Sequence, residues 1–352
     1  MINWADSMQQ SFEYYVVDPG TWKDTRLLNN VKSASITRDS TAETLGSASI
    51  DINESLGECY IRIYLIVIQN GVKEKIPLGT FITQTPSSSF DGKVRAASMD
   101  AYTSLLELKE NPPPIGYSLR KGDNIMEFAY RLCREHARAP SIHTRSLDTL
   151  PSNFVANSND TWLTFISDLV ATANYELDLD EYGRILFSPK QDVASLQPVW
   201  TYTDDNSSIL YPEITLDHDL FGIPNVVEVV YSTAGNTYHT RVVNDDPNSL
   251  TSTVNRGREI LYRDTEPTLP DGVMEYQIRE YAVRLLKSLS TIESKVTYKH
   301  AYCPTRVNDC VLLNYARADL NNVKAKIISQ SITCEPGCPV SETAIFTRKL
   351  WG

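Results

Sequence analysis

Four of the six cysteines lie near the C-terminal end of the chain and are its strongest candidates for chemistry. Cys303 and Cys310 bracket one predicted turn, and Cys334 and Cys338 bracket another. Thiolates presented by two turns at the same end of a sheet are ligands for Zn²⁺ or for an iron–sulfur cluster. Because neither pair has the tight C-x₂-C spacing of a zinc knuckle, disulfides and unmodified thiols remain open as alternatives. These four residues are therefore a candidate four-thiolate site.

Three groups of carboxylates are further candidates for a cation site or for acid–base catalysis. Residues 178–183 resemble the start of an EF-hand loop, but Pro189 stands where the bidentate glutamate is required, and the flanking residues are typical of strands. The groups at 217–219 and 245–246 lie in predicted loops, where a solvated acidic turn is the simpler interpretation.

The sequence lacks the common motifs of catalysis. It contains no G-x-S-x-G nucleophile elbow, no H-E-x-x-H helix, no P-loop and no G-x-G-x-x-G loop. None of its five histidines is four residues from another. We therefore expect a protein that is not an enzyme and that holds no cofactor, apart from the Zn²⁺ or iron–sulfur cluster that the four thiolates would bind.

The elements that carry these residues begin with an antiparallel β meander. Between residues 31 and 94, apolar and polar residues alternate with period two. The β-branched run 59–69 ends at Asn70-Gly71, which is the strongest short signal for a hairpin turn. Three consecutive prolines at 112–114 then predict a linker, because proline cannot continue a helix or pair centrally in a sheet. Residues 1–110 are thus predicted to form a first β domain.

Residues 111–203 have a different pattern, which predicts a small α+β module. Apolar residues between 125 and 133 lie at the i, i+3, i+4, i+7 and i+8 spacing of an amphipathic helix. A second helix is expected from about residue 159, and a hairpin is expected at 175–188.

Residues 204–352 are predicted to return to β structure. Strands are expected at 225–243, around a turn at 234–236, and three further strands between 292 and 333. The polar segment 244–270 predicts a long excursion, and a helix is expected over 272–289. The predicted fold class is therefore mainly β with an α+β insertion.

The composition is that of an acidic, folded protein. There are 33 Lys and Arg residues against 44 Asp and Glu residues, and the formal net charge is −11. This charge argues against a surface that binds phosphates, since such binding depends on clustered Lys and Arg. The longest apolar stretch, 61–68, is far shorter than the ~20 residues of a membrane helix, so we expect no membrane segment.

Three parts of the sequence, taken in order, have counterparts in one known family. The first is 78–83 (LGTFIT) followed by 93–102, where a meander feeds a short helix, and the second is the proline-linked module with its hairpin. The third is 255–258 (NRGR), then a helix, then 304–313 (PTRVNDCVLL). This order resembles the baseplate or tail-tip hub proteins of tailed bacteriophages and related injection machines. Where that family usually has Gly-Asp, this chain has Asn-Asp at 308–309.

The resemblance implies two tube-type β-barrel domains, 1–110 and 204–352, with 111–203 as the α+β insertion. Three copies would form a homotrimeric ring that adapts a hexameric tail tube to a trimeric spike or tip and forms part of the DNA channel. The implied partners are a tail tube or distal tail protein, a spike or tip protein and the tape-measure protein, while DNA passes without specific binding. Such a protein belongs to the virion tail and is assembled in the cytoplasm of the host bacterium.

Two other functions remain open. One is a receptor- or carbohydrate-binding tail component that uses exposed Tyr and Trp; it would show an aromatic platform on a loop-rich face, whereas the aromatic residues here lie mostly within predicted strands and helices. The other is a cell-wall hydrolase of the tail tip that uses acidic groups such as 217–219.

Overall fold

The computed structural model describes residues 2–54, 56–90, 92, 95–191, 193, 195–232, 237–267, 269 and 273–351. The predicted turn at 234–236 lies outside these residues. The chain folds into two compact units, and each unit is built from two separated segments. The first unit contains Met1–Ile214 and Tyr298–Thr343, and the second contains Thr215–Thr297 and Ala344–Gly352.

The N-terminal part of the first unit is an antiparallel meander, as the alternating pattern predicts. Asn70 and Gly71 have φ values of 51° and 78°, which suit a type I′ turn, and the two strands that they join close with the Gln69–Val72 pair. Two strands that the sequence pattern did not reveal precede the predicted meander. The elements of this part are β1 (Gln9–Val17), β2 (Asp24–Leu28), β3 (Val31–Asp39), β4 (Gly46–Ile52), β5 (Tyr60–Gln69), β6 (Val72–Phe90), β7 (Arg95–Thr103) and α1 (Leu106–Glu110).

The α+β module follows the proline linker and is packed around two helices. Asn124 caps the first helix by accepting the backbone N–H of Glu127 at 3.0 Å, and Thr161 caps the second by accepting that of Thr164 at 3.2 Å. The apolar faces of both helices share one core cluster with the hairpin that follows. The elements are β8 (Ser118–Leu119), α2 (Ile125–His136), β9 (Phe154–Val155), α3 (Trp162–Ala171), β10 (Tyr175–Leu179) and β11 (Ile185–Pro189).

The rest of the chain differs from the prediction mainly in 244–270, which contains a helical turn and a strand rather than a uniform excursion. The side chain of Asn225 donates to the carbonyl of Arg258 at 3.0 Å and accepts the N–H of Ile260 at 2.7 Å, which holds this segment in place. The elements are β12 (Trp200–Thr203), β13 (Leu210–His218), β14 (Val226–Ser232), β15 (Thr237–Val243), α4 (Thr253–Arg256), β16 (Leu261–Asp264), α5 (Glu275–Leu289), β17 (Thr291–Ala301), β18 (Cys310–Tyr315), β19 (Leu320–Thr333) and β20 (Pro339–Lys349).

The largest sheet in the described part of the chain has 13 strands in the order β13-β17-β20-β19-β3-β4-β7-β6-β5-β1-β2, with β12 on β18 and β18 on β19. The antiparallel pairing of β19 with β3, for example Ile332 with Ile36, joins segments far apart in sequence. This pairing explains why 298–343 belongs to the first unit. The three-domain division at residues 110 and 203 stays a prediction; the compact units follow strand pairing rather than chain order.

The second unit contains a three-stranded sheet, β15-β14-β16. Val227, Val229 and Tyr231 of β14 share a core cluster with Ile278 and Leu286 of α5, the helix that the amphipathic pattern predicts. No described helix has both the length and the apolar character needed to cross a membrane. The fold class is confirmed: the protein is mainly β, with large antiparallel sheets and a small α+β module.

Candidate functional site

A buried polar region of the first unit surrounds Glu342 of β20, whose side chain is completely buried. Tyr298 and Thr305 donate hydroxyl hydrogen bonds of 2.7 Å to its two carboxylate oxygens. Gln330 donates to Oε1 at 2.6 Å, and His300 Nε2 lies 3.3 Å from the same oxygen. We refer to these five residues as the Glu342 cluster. A buried carboxylate is tolerated here because several donors replace the water it has lost.

The cluster contains a buried ion pair. Burial alone would lower the pKa of His300, but hydrogen bonds to Cys303 and Glu342 outweigh it and raise the pKa to about 10. Burial would raise the pKa of Glu342, yet its hydrogen bonds, led by that from His300, keep this pKa below the usual range. His300 is therefore an imidazolium beside a carboxylate at neutral pH.

The thiol of Cys303 gives the cluster the outline of a nucleophile–base–acid arrangement. Its Sγ lies 3.9 Å from His300 Nδ1, and the other ring nitrogen faces Glu342. However, Cys303 is only 1% exposed, and His300 Nδ1 already donates to the carbonyl of Ala301 at 2.7 Å. Tyr202 closes the remaining side, with its hydroxyl 3.3 Å from Cys303 Sγ. A substrate therefore has no path to the thiol in this conformation.

The Glu342 cluster also connects strands that are distant in sequence. Gln330 of β19 accepts a hydrogen bond of 3.0 Å from Arg38 of β3, and Arg38 donates another of 2.6 Å to the carbonyl of Leu78. The cluster therefore extends, through one guanidinium, to the N-terminal meander. Its geometry is that of a structural bonding network rather than of an open reaction site.

The four C-terminal cysteines lie in three different surroundings. Cys334 and Cys338 belong to an apolar core cluster with Tyr14, Cys303 lies with the Glu342 cluster, and Cys310 is buried with its Sγ 3.9 Å from the carbonyl of Val311. All four are free thiols. Burial raises the pKa of Cys334 to about 12, which disfavours the thiolate that a metal requires.

Within the described ranges, no three His, Cys, Asp or Glu side chains form a group that could hold a metal ion. The positions of the four thiols therefore do not support a site for zinc or an iron–sulfur cluster, and the four-thiolate site stays a prediction from the sequence.

Among the carboxylates singled out in the sequence, Asp180, Asp219 and Asp246 accept backbone N–H groups in turns. Asp217 lies in strand β13 and not in the predicted loop. Asp180 Oδ1 accepts the backbone N–H groups of Tyr182 and Arg184 at 3.0 and 2.8 Å, so it closes the β10–β11 hairpin. In the 217–219 group, His218 Nδ1 lies 2.8 Å from Ser294 Oγ, and its Nε2 accepts from Arg348 at 3.0 Å. Burial and the Arg348 charge lower the pKa of His218, so the ring is neutral and fully bonded.

The β10–β11 hairpin turn is bound to the meander by buried polar contacts. Arg62, a lone cation in the apolar strand β5, is 3% exposed and pairs with Asp24 at 2.7 Å. It also donates to the carbonyl of Tyr182, which accepts a second bond of 2.7 Å from the indole N–H of Trp22. Ser104 donates to the carbonyl of Gly183 at 3.0 Å. These bonds attach the insertion module to the sheet.

The other side of the turn contacts the segment that follows the β17 strand. Arg306 donates to the carbonyl of Leu179 at 2.6 Å and pairs with Glu181 at 2.6 Å. A cleft of about 60 Å³ lies beside these contacts and is lined by residues that include Asp178 and Asn308. This volume has room for a few waters and is well below the ~300 Å³ of a typical ligand site.

The motif spacing in the sequence does not point to the interior residues that hold these parts together, His300, Glu342 and Arg62. The available signal was a charged residue at an inward position of an otherwise apolar strand, which holds for both Glu342 in β20 and Arg62 in β5.

Solved structures with the same fold include phage tail proteins. The tail protein from Neisseria meningitidis matches with a TM-score of 0.56 and 12% identity, over 97% of this chain and 98% of that chain. The 43 kDa tail protein of prophage MuSo2 from Shewanella oneidensis gives 0.57 and 11%, over 95% and 97%. A chain of the Francisella PdpA-VgrG complex gives 0.54 and 9%, over 97% of this chain and 53% of that chain.

No protein-family model matches the sequence, and no curated protein is significantly similar to it. The structural likeness to the two tail proteins nevertheless covers almost the whole of both chains, although the sequences are only 12% and 11% identical. It confirms the resemblance drawn from the order of the sequence motifs: this chain has the fold of phage tail proteins.

Proposed function

We propose that the protein is a structural hub component of a phage tail tip. The observation that carries this proposal is the end-to-end likeness to phage tail proteins, at 97% of this chain and 98% of the Neisseria protein. The interior supports a structural role as well, because the thiol that lies nearest a histidine and a carboxylate is 1% exposed. We infer a role in assembly rather than in catalysis.

In this proposal, three copies form a ring that contributes six tube-type barrels and joins a hexameric tail tube to a trimeric spike or tip. Its partners are further copies of itself, a tail tube or distal tail protein, the spike protein and the tape-measure protein. The net charge of −11 supports a conduit for DNA, since like charges keep phosphates from adhering to the wall. The site of action is the virion tail, after assembly in the bacterial cytoplasm.

Electron microscopy of the assembled tail tests this proposal. We expect density for this chain as a threefold ring below the sixfold tail tube, with a continuous central channel. A ring of another symmetry, or a peripheral position outside the channel, would contradict the hub role and favour a receptor-binding component.

A cell-wall hydrolase is the enzymatic alternative, and a turbidity assay of purified protein on bacterial cell walls separates it from the hub role. We expect no clearing, because both ring nitrogens of His218 are bonded within the protein. Clearing that disappears in Asp217→Asn or Asp219→Asn would establish the hydrolase instead.

A further inference from the structure

The pattern of β20 leaves its register ambiguous. Its buried positions are Val340, Glu342, Ala344 and Phe346, so Glu342 is the one charged residue among them. Because side chains alternate with period two along a strand, a slip of two residues keeps every side chain on its own face. The apolar residues of β20 therefore do not distinguish the observed register from one displaced by two residues.

A local turn sets the register of β20 against only one of its neighbours. β20 lies between β17 and β19, and the segment 334–338 joins it directly to β19. That turn is closed by a hydrogen bond of 2.8 Å from the N–H of Cys338 to the carbonyl of Glu335. β17 ends well before β20 begins and shares no turn with it, so side chains must set that register.

We propose that the Glu342 cluster selects the register of β20 against β17. Tyr298 and His300 lie two residues apart on β17, and both reach the Glu342 carboxylate, at 2.7 and 3.3 Å. A slip of two residues displaces this carboxylate by about 7 Å, which is beyond hydrogen-bond reach.

The slipped states leave charged and polar groups without partners. With β20 still in register with β19, Val340 or Ala344 would take the place of Glu342 opposite β17. Tyr298 and His300 would then face an apolar side chain in a region that is sealed from water, and Glu342 would lose both partners on β17. Each buried polar group without a partner is strongly unfavourable, and a buried charge more so. The cluster thus excludes the slipped registers, which apolar packing alone would tolerate. A polar group that specifies the register of an apolar interface has a precedent in coiled coils.

Hydrogen–deuterium exchange with mass spectrometry on the full chain tests the proposal. The key variant replaces the ion pair with apolar residues of similar volume, Glu342→Leu with His300→Phe. Glu342→Gln keeps a hydrogen-bonding group at the same position, and Ser341→Val changes the adjacent, outward-facing position as a matched control. We expect the double variant to fold but to show two isotope envelopes for β17 and β20, with a second population of about 10% or more.

Wild type, Glu342→Gln and Ser341→Val are expected to show one envelope each. A single, wild-type-like envelope in the double variant would overturn the proposal, and so would two envelopes in Ser341→Val. If the double variant fails to fold while Glu342→Gln folds, the cluster contributes stability without selecting a register, and the proposal is likewise wrong.

Discussion

Replacing Gly183 with alanine is expected to destabilise the first unit by about 2–5 kcal/mol. Gly183 has a φ of 71°, a left-handed conformation that costs an L-residue about 1–2 kcal/mol. A Cβ at this position would stand 2.8 Å from Cβ of Thr80 and 3.4 Å from its carbonyl oxygen. Only the first distance is a clash, and because Thr80 is held by strand β6, relieving it adds about 1–3 kcal/mol.

Gly116→Ala provides the matched control. Gly116 has a similar φ of 79°, but a Cβ there would meet no atom within 4 Å. Its substitution should therefore cost only the backbone contribution, about 1–2 kcal/mol. The difference between the two variants isolates the contact between the hairpin turn and the meander.

Urea denaturation followed by tryptophan fluorescence measures both variants. The indole of Trp22 donates to the carbonyl of Tyr182, which lies in the β10–β11 turn beside Gly183. The emission of Trp22 should therefore respond when this turn separates from the sheet. Hydrogen exchange of 180–184 provides a local readout that does not depend on two-state unfolding. Equal losses in the two variants would refute the reasoning, because the contact with Thr80 would then contribute nothing.

Three further predictions concern the buried charges and thiols. Raising the pH from 6.5 to about 10 should remove up to about 5 kcal/mol of the free energy of unfolding. The pKa of His300 is 6.5 in the unfolded chain and about 10 in the folded chain, so the stabilisation by its charge is lost over that interval. Urea midpoints across this pH range test the prediction, and His300→Gln should flatten the pH dependence. Arg62→Met should cost about 2–4 kcal/mol, because Asp24 loses its cationic partner and the carbonyl of Tyr182 loses one donor. Limited proteolysis should then cleave at 180–184, and an unchanged cleavage rate would show that Arg62 does not anchor the turn. Metal analysis of anaerobically purified protein should find zinc and iron well below one per chain, since only Cys334 and Cys338 of the four C-terminal thiols share a core cluster. Near-stoichiometric metal would establish the four-thiolate site.

Elements with a strong local pattern were predictable. The helix α2 follows from the spacing of its apolar residues, and the β5–β6 hairpin follows from Asn70-Gly71, because both signals are complete within a few residues. The segment 244–270 was less well predicted. Its strand β16 is held by the side chain of Asn225, which lies outside the segment and therefore leaves no trace in its local pattern.

Local patterns were enough to predict the class of the protein: an acidic, mainly β chain with an α+β insertion and with motifs in the order of a phage tail protein. That β19 pairs with β3, that Glu342 meets His300 and that Gly183 lies against Thr80 could be seen only in the folded chain. The physical reason is that the alternation of side chains reports which face of a strand is buried, but not which strand lies beside it. Partners from distant segments are set by the packing of the whole chain.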